Sequence, residues 1–252
     1  MKKDKILIAF LCIFLPSRVC VFLLNKTGHQ IDKQCKIGFS LILTNKIVAG
    51  ARTKIGHGNI IRCNELTLEE DSYIQHFNYF SGPFTVRLSA LAGIGKLNHI
   101  LRAKKPVSYG ESTLSIGKGS KITSSHTIDC TKSIKIGEYS IVAGKQSQLW
   151  THGYYHEPSG PSRFRIDGEI SIGNNVYIGS RVIISLGVTI CDGVTVGSGA
   201  VVSKDLIKPG MYVGQALRFI EIDMEKMKNK LYKVDDPNLI EDVYQKKRPD
   251  IG

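Results

Sequence analysis

Residues 172–207 read IGNNVY IGSRVI ISLGVT ICDGVT VGSGAV VSKDLI when they are written in blocks of six. Every block begins with isoleucine or valine, and its fifth residue is valine, alanine or leucine. The second residue is glycine or serine in five of the six blocks and Cys191 in the other. A helix repeats near every 3.6 residues and a strand every 2, so neither explains this spacing. A strict period of six is typical of β-helix repeats.

The period corresponds to a coil of about 18 residues, which is three blocks of six, built from three short strands. The branched first residue of each block points into the coil. The small second residue lets the chain turn a corner where a larger side chain would crowd it. Each coil buries its aliphatic residues on its neighbours. A β-sandwich would instead show alternation with period two. The sequence therefore predicts an all-β protein that forms a parallel β-helix.

The same spacing continues less regularly towards the N-terminus. Aliphatic residues recur every six positions from Ile37 to Ile61 and again from Ile116 to Ile128, with slips between and after these runs. Pro209 and Gly210 end the regular coils. The predicted division of the chain is an apolar and basic segment over 1–30, a β-helix domain over 31–213 with loops at 81–113 and 150–169, and a C-terminal helix and tail over 214–252.

The two loops carry residues that a repeat core does not need. Residues 81–110 include five basic side chains and no acid, and the second loop holds the only tryptophan of the chain. Insertions in repeat proteins collect on one face, which is often the binding face. A solvated basic loop that binds no ligand has the same composition. The first loop is therefore open to both interpretations, a ligand-binding segment and a solvated loop.

Three further motifs resemble those of a known family. They are Thr151-His152-Gly153, GNNVYIGS at 173–180 and GSGAVVSKD at 197–205. Together with the hexads, they resemble the hexapeptide-repeat acyltransferases, and among these the sugar O-acetyltransferases of surface-polysaccharide and lipopolysaccharide synthesis. The resemblance implies a left-handed β-helix, a homotrimer, and direct transfer of an acetyl group from acetyl-CoA to a hydroxyl of a sugar or glycan acceptor.

In this family a histidine just before the last regular coils is the catalytic base, which points to His152. An imidazole can take a hydroxyl proton near neutral pH. His156, four residues later, is the competing candidate for the base and is also a candidate acceptor contact. His126 and Asp129 lie in SHTIDCT, which resembles an H-x-x-D-C-T element of the polysaccharide subgroup. They are expected to line the acceptor cleft, with Asp129 orienting a histidine; alternatively, Asp129 hydrogen-bonds its own turn.

The resemblance also implies positions for the two substrates. Backbone amides at corners and the ammonium group of Lys204 suit the phosphates of coenzyme A. Tyr177 stands where the family usually has tryptophan, and GQALR at 214–218 lacks the proline of the family's Gly-Asn-Pro-Ala-Lys/Arg. The expected donor contacts are Tyr177, Ser180, Ser198, Ser203, Lys204 and Arg218. The expected acceptor contacts are Trp150, Tyr154, Tyr155 and His156.

Two other classes of function fit parts of the sequence. A β-helix metal lyase of the carbonic anhydrase type would need three histidines, and His126, His152 and His156 are the trio that the sequence offers. Their separations of 26 and 4 residues do not match that family, so we expect no metal. A non-catalytic scaffold or nucleic-acid binder is suggested by the net charge of +12. The basic residues are spread through the loops and tail without an aromatic-rich stripe, so we expect no nucleic acid.

The termini have separate interpretations. Residues 1–24, MKKDKILIAFLCIFLPSRVCVFLL, combine lysines with an apolar run that Pro16 and Arg18 interrupt. They predict a helix on the cytoplasmic face of the inner membrane, a spanning anchor, or a cap on the open end of the β-helix. Six cysteines without a CxxC pair indicate a reduced, cytoplasmic protein. We expect a closing helix over 220–232 and a poorly ordered tail after it.

Overall fold

The computed structural model describes residues 9–10, 13–214, 224–239 and 242–246. This part of the chain contains the helices α1 (Ser17–Lys26) and α2 (Met224–Asn229), and residues 9–10 are also helical. In chain order the strands are β1 (Gln30–Ile31), β2 (Lys36–Ile37), β3 (Leu41–Ala49), β4 (Lys54–Ile55), β5 (Ile60–Leu68), β6 (Tyr73–Ile74), β7 (Tyr79–Ser81), β8 (Thr85–Leu88), β9 (Gly93–Ile94), β10 (His99–Leu101), β11 (Thr113–Ile116), β12 (Lys121–Ser124), β13 (Thr127–Asp129), β14 (Ile134–Ile136), β15 (Ile141–Lys145), β16 (Gln148–Leu149), β17 (His152–His156), β18 (Arg163–Asp167), β19 (Ile170–Ile172), β20 (Tyr177–Ile178), β21 (Ile183–Ile184), β22 (Thr189–Ile190), β23 (Val194–Val196), β24 (Val201–Val202), β25 (Gly210–Tyr212), β26 (Leu231–Lys233) and β27 (Val243–Lys246).

The short strands stack in parallel into three faces, which the chain visits in turn. Face 2 is a nine-stranded sheet that runs from β2 to β25. Faces 1 and 3 belong to one 14-stranded sheet, because β3 and β5 bend around a corner and contribute to both. Face 1 continues through β8, β11, β14, β19 and β22, and face 3 through β7, β10, β13, β16, β21 and β24.

Aliphatic residues form columns inside the stack. On face 2, Ile37 pairs with Ile55, Ile55 with Ile74, Ile74 with Ile94, and Ile94 with Ile122. None of these side chains is more than 3% exposed. Fully burying one such side chain contributes about 1.5–3 kcal/mol. The structure confirms the all-β, left-handed parallel β-helix class that the sequence predicts.

The first excursion is shorter than its predicted bounds of 81–113. Strands β8, β9 and β10 continue the coils through this stretch, and only residues 102–112 leave the stack. The prediction is wrong because the coils here are longer than 18 residues; the paired Ile74 and Ile94 are 20 positions apart. The extra residues sit at corners, where Leu91 and Leu97 both adopt a φ of 62°. These residues shift the six-residue period of the sequence but leave the column of aliphatic side chains on face 2 continuous.

Both excursions leave from the corner where face 3 passes to face 1, which we call the loop corner. Residues 102–112 leave after β10, and residues 150–169 leave after β16. The second excursion folds into an antiparallel hairpin of β17 and β18, in which His152 pairs with Asp167. Between the two excursions, the loop corner is closed by the short segment 130–133 that joins β13 to β14. The excursions therefore flank one ordinary coil.

Part of the C-terminal region packs on this hairpin. Strand β27 pairs in parallel with β18, and β26 pairs with β27, which gives a four-stranded sheet. The predicted helix over 220–232 ends earlier in the structure, because α2 ends at Asn229 and β26 follows. The expectation of a poorly ordered tail is wrong for residues 242–246, because Val243 is fully buried. Residues 215–223 and 247–252 lie outside the described residues.

Helix α1 closes the N-terminal end of the stack. Its Cys20, Val21 and Leu24 are buried against the first coil. The hydroxyl of Ser17 accepts a hydrogen bond of 2.8 Å from the backbone N–H of Ile37. The side-chain amide of Asn25 bonds both the N–H and the carbonyl of Ile31, at 2.8 and 2.9 Å. Residues 17–26 thus act as the cap, one of the three predicted alternatives.

The other side of the N-terminal segment is apolar and exposed. Phe10, Phe14 and Phe22 are 49%, 80% and 60% exposed, and the ammonium of Lys26 lies 5.5 Å from the ring centre of Phe22. None of the helices in the described part of the chain has the length and apolar character needed to span a membrane. Residues 1–8 and 11–12, which carry the N-terminal lysines, lie outside the described residues.

A matched pair of variants separates the buried and exposed sides of α1. Leu24→Ala should lower the free energy of unfolding by about 2–5 kcal/mol, because it opens a cavity against the first coil. Phe22→Ser should change it by less than about 0.5 kcal/mol, because the ring is exposed. A lipid contact of the exposed side predicts a second effect of Phe22→Ser: co-sedimentation with anionic vesicles should weaken about ten-fold. Denaturant titration and vesicle sedimentation of both variants measure this; unchanged vesicle binding of Phe22→Ser excludes the lipid contact.

Candidate active site

The two excursions enclose a cavity of about 220 Å³ at the loop corner. Its floor is the end of β13, and its walls come from the start of each excursion and from β18. The lining residues are Leu101, Arg102, Ala103, Val107, Thr127, Ile128, Asp129, Thr131, Trp150, His152 and Arg165. Two residues that the sequence analysis proposes as catalytic, Asp129 and His152, therefore face the same space.

The carboxylate of Asp129 is fixed by the corner residues around it. Oδ1 accepts hydrogen bonds from the backbone N–H and the hydroxyl of Thr131, at 3.2 and 2.8 Å. Oδ2 accepts from the backbone N–H of Thr151 at 3.0 Å, and the Thr151 hydroxyl lies 2.7 Å away. The same hydroxyl accepts from the N–H of Lys132, which ties the two coils together. The carboxylate has little freedom to turn.

The imidazole of His152 completes this arrangement. Nδ1 lies 2.8 Å from Oδ2 of Asp129 and 3.3 Å from the hydroxyl of Thr131. An ionised carboxylate only accepts hydrogen bonds, so Nδ1 carries the proton and Nε2 keeps its lone pair. The His152 side chain is 28% exposed, whereas that of Asp129 is 9% exposed. A buried carboxylate thus orients a partly exposed imidazole whose Nε2 is available as a base.

The two groups shift each other's pKa. The hydrogen bond to Asp129 raises the pKa of His152 above its ordinary value, and this outweighs the opposing effect of burial. Burial alone would raise the pKa of Asp129, but the hydrogen bonds and the charge of His152 bring it below its usual value. The aspartate is therefore ionised and ready to stabilise an imidazolium, which is the effect that a proton-accepting histidine needs.

Two aromatic side chains lie beside the imidazole. The ring centres of Trp150 and Tyr154 lie 6.3 and 6.0 Å from that of His152, and both rings stand edge-on to it. Trp150 and Tyr154 are 36% and 38% exposed, so they offer apolar surface beside the cavity. Tyr155 points to the other face of the hairpin and stacks on Phe164 at 5.6 Å. Of the predicted acceptor contacts, Tyr155 is therefore placed in the packing of the hairpin.

The other two histidines are not brought to the site. His126 is only 1% exposed and belongs to a ladder at the corner between faces 2 and 3. The backbone N–H of His126 donates to the side-chain oxygen of Asn98, and its ring Nδ1 accepts from the backbone N–H of Ser147. Burial lowers its pKa to about 4. His156 lies at the far end of β17, about 13 Å from His152 along the strand at about 3.3 Å per residue.

Sequence reasoning missed a buried charged cluster behind the imidazole. Arg165 and Asp167, on β18, are 1% and 0% exposed. Nε of Arg165 donates to Asp167 at 2.9 Å, and its guanidinium also bonds the carbonyl of Val107, so that it links the two excursions. Burial raises the pKa of Asp167 despite this partner. The signal in the sequence is RFRID at 163–167, where alternate charged residues share one side of a strand.

The predicted donor residues fall into two groups, one at the loop corner and the other on face 2 and at its corner with face 3. Ser203 and Lys204 follow β24 on the loop corner, two coils beyond His152 and so about 10 Å along the axis. Tyr177 lies on face 2 and is 47% exposed. Ser180 and Ser198 lie at the corner between faces 2 and 3, where the hydroxyl of Ser198 accepts from the N–H of Ser180 at 3.2 Å. Arg218 lies outside the described residues.

The placement of the histidines also bears on the metal alternative. The trio His126, His152 and His156 is divided among a buried ladder, the cavity and the far end of the hairpin. Within the described ranges no group of three or more histidine, cysteine, aspartate or glutamate side chains is placed to hold a metal ion. The imidazole of His152, held by Asp129, is able to accept a proton at its Nε2.

Comparisons with known proteins give likenesses in structure. No family model and no curated protein matches the sequence. Among solved structures, the chain is similar to the polySia-specific acetyltransferase NeuO, at 20% identity and a TM-score of 0.43, covering 77% of this chain and 86% of that chain. It is also similar to a variant of AntD, an N-acyltransferase from Bacillus cereus in complex with dTDP and coenzyme A, at 20% identity and a TM-score of 0.29, covering 85% and 97%. The fold of this chain is established by its own strand pairings.

The opposite environments of two histidines give a prediction that needs no substrate. His152 should titrate above the ordinary imidazole pKa of about 6.5, whereas His126 should stay neutral down to about pH 4. Asp129→Asn removes the carboxylate that holds the proton on His152, so the pKa of His152 should fall while that of His126 stays. Imidazole carbon and proton shifts followed by NMR from pH 4 to 9 give both values. An unchanged His152 pKa in Asp129→Asn contradicts the geometry.

Proposed function

We propose that this protein is an acetyl-CoA-dependent O-acetyltransferase acting on a sugar hydroxyl, in the synthesis of surface polysaccharide or lipopolysaccharide. The observation that supports this most is the contact between Asp129 and His152 at a cavity on the loop corner of a parallel β-helix. The resemblance of the Thr151-His152-Gly153 motif and of the regular hexads to sugar O-acetyltransferases agrees with it.

In this mechanism His152 acts as the general base. Its Nε2 takes the proton of the acceptor hydroxyl as the oxygen attacks the carbonyl carbon of the acetyl thioester. Asp129 stabilises the imidazolium that results. Backbone N–H groups near the site hold the negative charge on the carbonyl oxygen of the tetrahedral intermediate. The intermediate breaks its bond to sulfur, and His152 returns the proton to the leaving thiolate. No enzyme-bound acyl group is needed, so transfer is direct.

The flanking aromatic rings suit a sugar acceptor. Trp150 and Tyr154 present partly exposed apolar surface beside the imidazole. The C–H face of a sugar ring packs well on such a surface. The guanidinium of Arg163 lies over the ring of Tyr154 at 4.8 Å, which holds that ring in place. The acceptor would lie against Trp150 and Tyr154, and its hydroxyl nearest Nε2 of His152 would react.

The donor is proposed to lie between subunits of a homotrimer. Within one chain, Lys204 shares the loop corner with His152, but Tyr177, Ser180 and Ser198 lie elsewhere on the prism. One molecule of coenzyme A can contact both groups if a neighbouring chain supplies the second. A prism with flat faces allows this packing. The ammonium of Lys204 suits a phosphate of the donor.

The protein is further proposed to work in the cytoplasm, in peripheral contact with the inner membrane. The exposed phenylalanines of the N-terminal segment and Lys26 support this. An aromatic and basic surface of this kind favours the interface of an anionic bilayer. The vesicle experiment with Phe22→Ser tests it.

Substitution of His152 tests the proposed chemistry. His152→Ala should lower kcat by a factor of about 100 to 10,000, because alanine cannot take the proton. The wild-type rate should rise with pH through a midpoint above about 6.5, since the raised pKa of His152 means that the neutral base forms at higher pH. Steady-state kinetics with acetyl-CoA and a panel of sugars measure this. The matched control is His156→Ala, at the exposed end of β17, which should change kcat less than about three-fold; equal losses in both would remove His152 from the role.

Mixing inactive subunits tests the shared donor site. Tyr177→Ala and His152→Ala subunits, co-assembled in equal amounts, should recover about a quarter of wild-type activity. A working site needs His152 from one variant and Tyr177 from the other, each with a chance of one half. His152→Ala mixed with Lys204→Ala is the control and should show no activity beyond that of the separate variants, because both residues lie on the same corner of one chain. Absence of recovery in the first mixture, or an active monomer in light scattering, would contradict a site between subunits.

A further inference from the structure

A second cavity, of about 500 Å³, lies on the N-terminal side of the first at the same corner. It is formed where β3, β5 and the 102–112 excursion meet. Arg102 lines both cavities, so the two spaces adjoin along the loop corner. The proposed mechanism uses only the first cavity. The second has no role in it.

The lining of the second cavity is strongly basic. Arg62, Arg102, Lys104 and Lys105 contribute four cations, and Glu111 is the one carboxylate among the described lining residues. Neutral hydrogen-bonding groups complete the wall; they are Asn45, Asn64 and Ser108. Cations that converge on a concave surface attract anions more strongly than the same charges spread over a flat surface. The composition suits phosphate or carboxylate groups.

Arg102 gives this charge a buried anchor. It is 6% exposed, and its terminal nitrogens donate to the carbonyls of Pro83 and Tyr109 at 2.6 Å and of Gly110 at 2.9 Å. In the described part of the chain its Nε has no hydrogen-bond partner, and no carboxylate lies within ion-pair distance of it. Asp129 and Asp167 act on Arg102 only at longer range, and burying a cation without a direct ion-pair partner is costly. A bound anion would provide the missing charge.

The buried charges around the first cavity point the same way. Three cations, Arg102, Lys132 and Arg165, and two carboxylates, Asp129 and Asp167, are each at most 8% exposed. Burial lowers the pKa of Arg102 and that of Lys132, because water no longer stabilises their charged forms. An anion that lies beside these cations would restore part of that stabilisation.

We infer that the acceptor is anionic and that it spans both cavities. Its phosphate or carboxylate groups lie in the second cavity against Arg62, Lys105 and Arg102, while its reacting hydroxyl lies against His152 in the first. The inference rests on the proposed function for the identity of the reaction, but the anion site itself does not. A phosphorylated sugar and an acidic oligosaccharide supply the same chemistry, and the experiment distinguishes them.

The binding test uses simple probes and no turnover. Inorganic pyrophosphate, an oligogalacturonate and a neutral malto-oligosaccharide are titrated calorimetrically into the full-length protein. At least one of the two anions should bind, and the neutral sugar should bind much more weakly. The double variant Arg62→Gln/Lys105→Gln should raise the Kd of that anion about ten-fold or more, at roughly three- to five-fold per charge. Lys118→Gln, an exposed lysine at another corner, is the matched control and should change it less than two-fold.

The outcomes distinguish a phosphorylated sugar from an acidic oligosaccharide as the acceptor. They also distinguish failure of the anionic-acceptor inference from failure of the proposed function. Tighter pyrophosphate binding identifies a phosphate acceptor, and tighter oligogalacturonate binding an acidic glycan. The inference is overturned if neither anion binds, or if Lys118→Gln weakens binding as much as the double variant. Transfer from acetyl-CoA is then measured on neutral and anionic acceptors. Transfer that depends on His152 but is equally fast with neutral sugars sinks the anionic acceptor alone; anion binding without any transfer sinks the proposed function alone.

Discussion

The register between successive coils is the constraint on which this structure depends. Each short strand has neighbours only in the coil before and the coil after, so its inward residue must lie directly over an inward residue of the next coil. The column from Ile37 through Ile55 and Ile74 shows this on face 2. A strand of two or three residues has too few hydrogen bonds to persist alone; the column supplies the buried surface that keeps it in place. α1 closes this column at its first coil.

The same constraint decides where the chain can vary. Inside a face, one extra residue would turn an aliphatic side chain outward, whereas at a corner it only lengthens the turn. Extra residues are therefore found at corners, from the single residues near Leu91 and Leu97 to the hairpin of β17 and β18. Two excursions from one corner, with an ordinary coil between them, create a concave site on a scaffold that otherwise presents convex edges.

The site depends on charges that the scaffold holds away from water. Asp129 ends a strand of face 3, and the hydroxyls and amides of Thr131 and Thr151 surround its carboxylate. That carboxylate in turn fixes the imidazole of His152, and Arg165 ties the hairpin to the first excursion. Paired strands and corner hydrogen bonds thus fix the carboxylate and the imidazole that face the cavity. Pre-organisation of this kind is what makes one hydrogen bond to a base useful in catalysis.

The sequence by itself determined the fold class, because a six-residue period is imposed locally and can be counted without knowing what packs on what. It also determined His152 and Asp129 as candidates, since each lies in a short motif. It could not place the irregular coils over 81–101, where corner residues hide the period. It could not separate His126, which stays in a buried ladder, from a residue of the cleft. Only the tertiary structure decided these points, and only it brought Arg102 and Arg165 to one cavity. The positions of both arginines depend on contacts between residues far apart in the chain. A local spacing of residues in the sequence does not indicate such contacts.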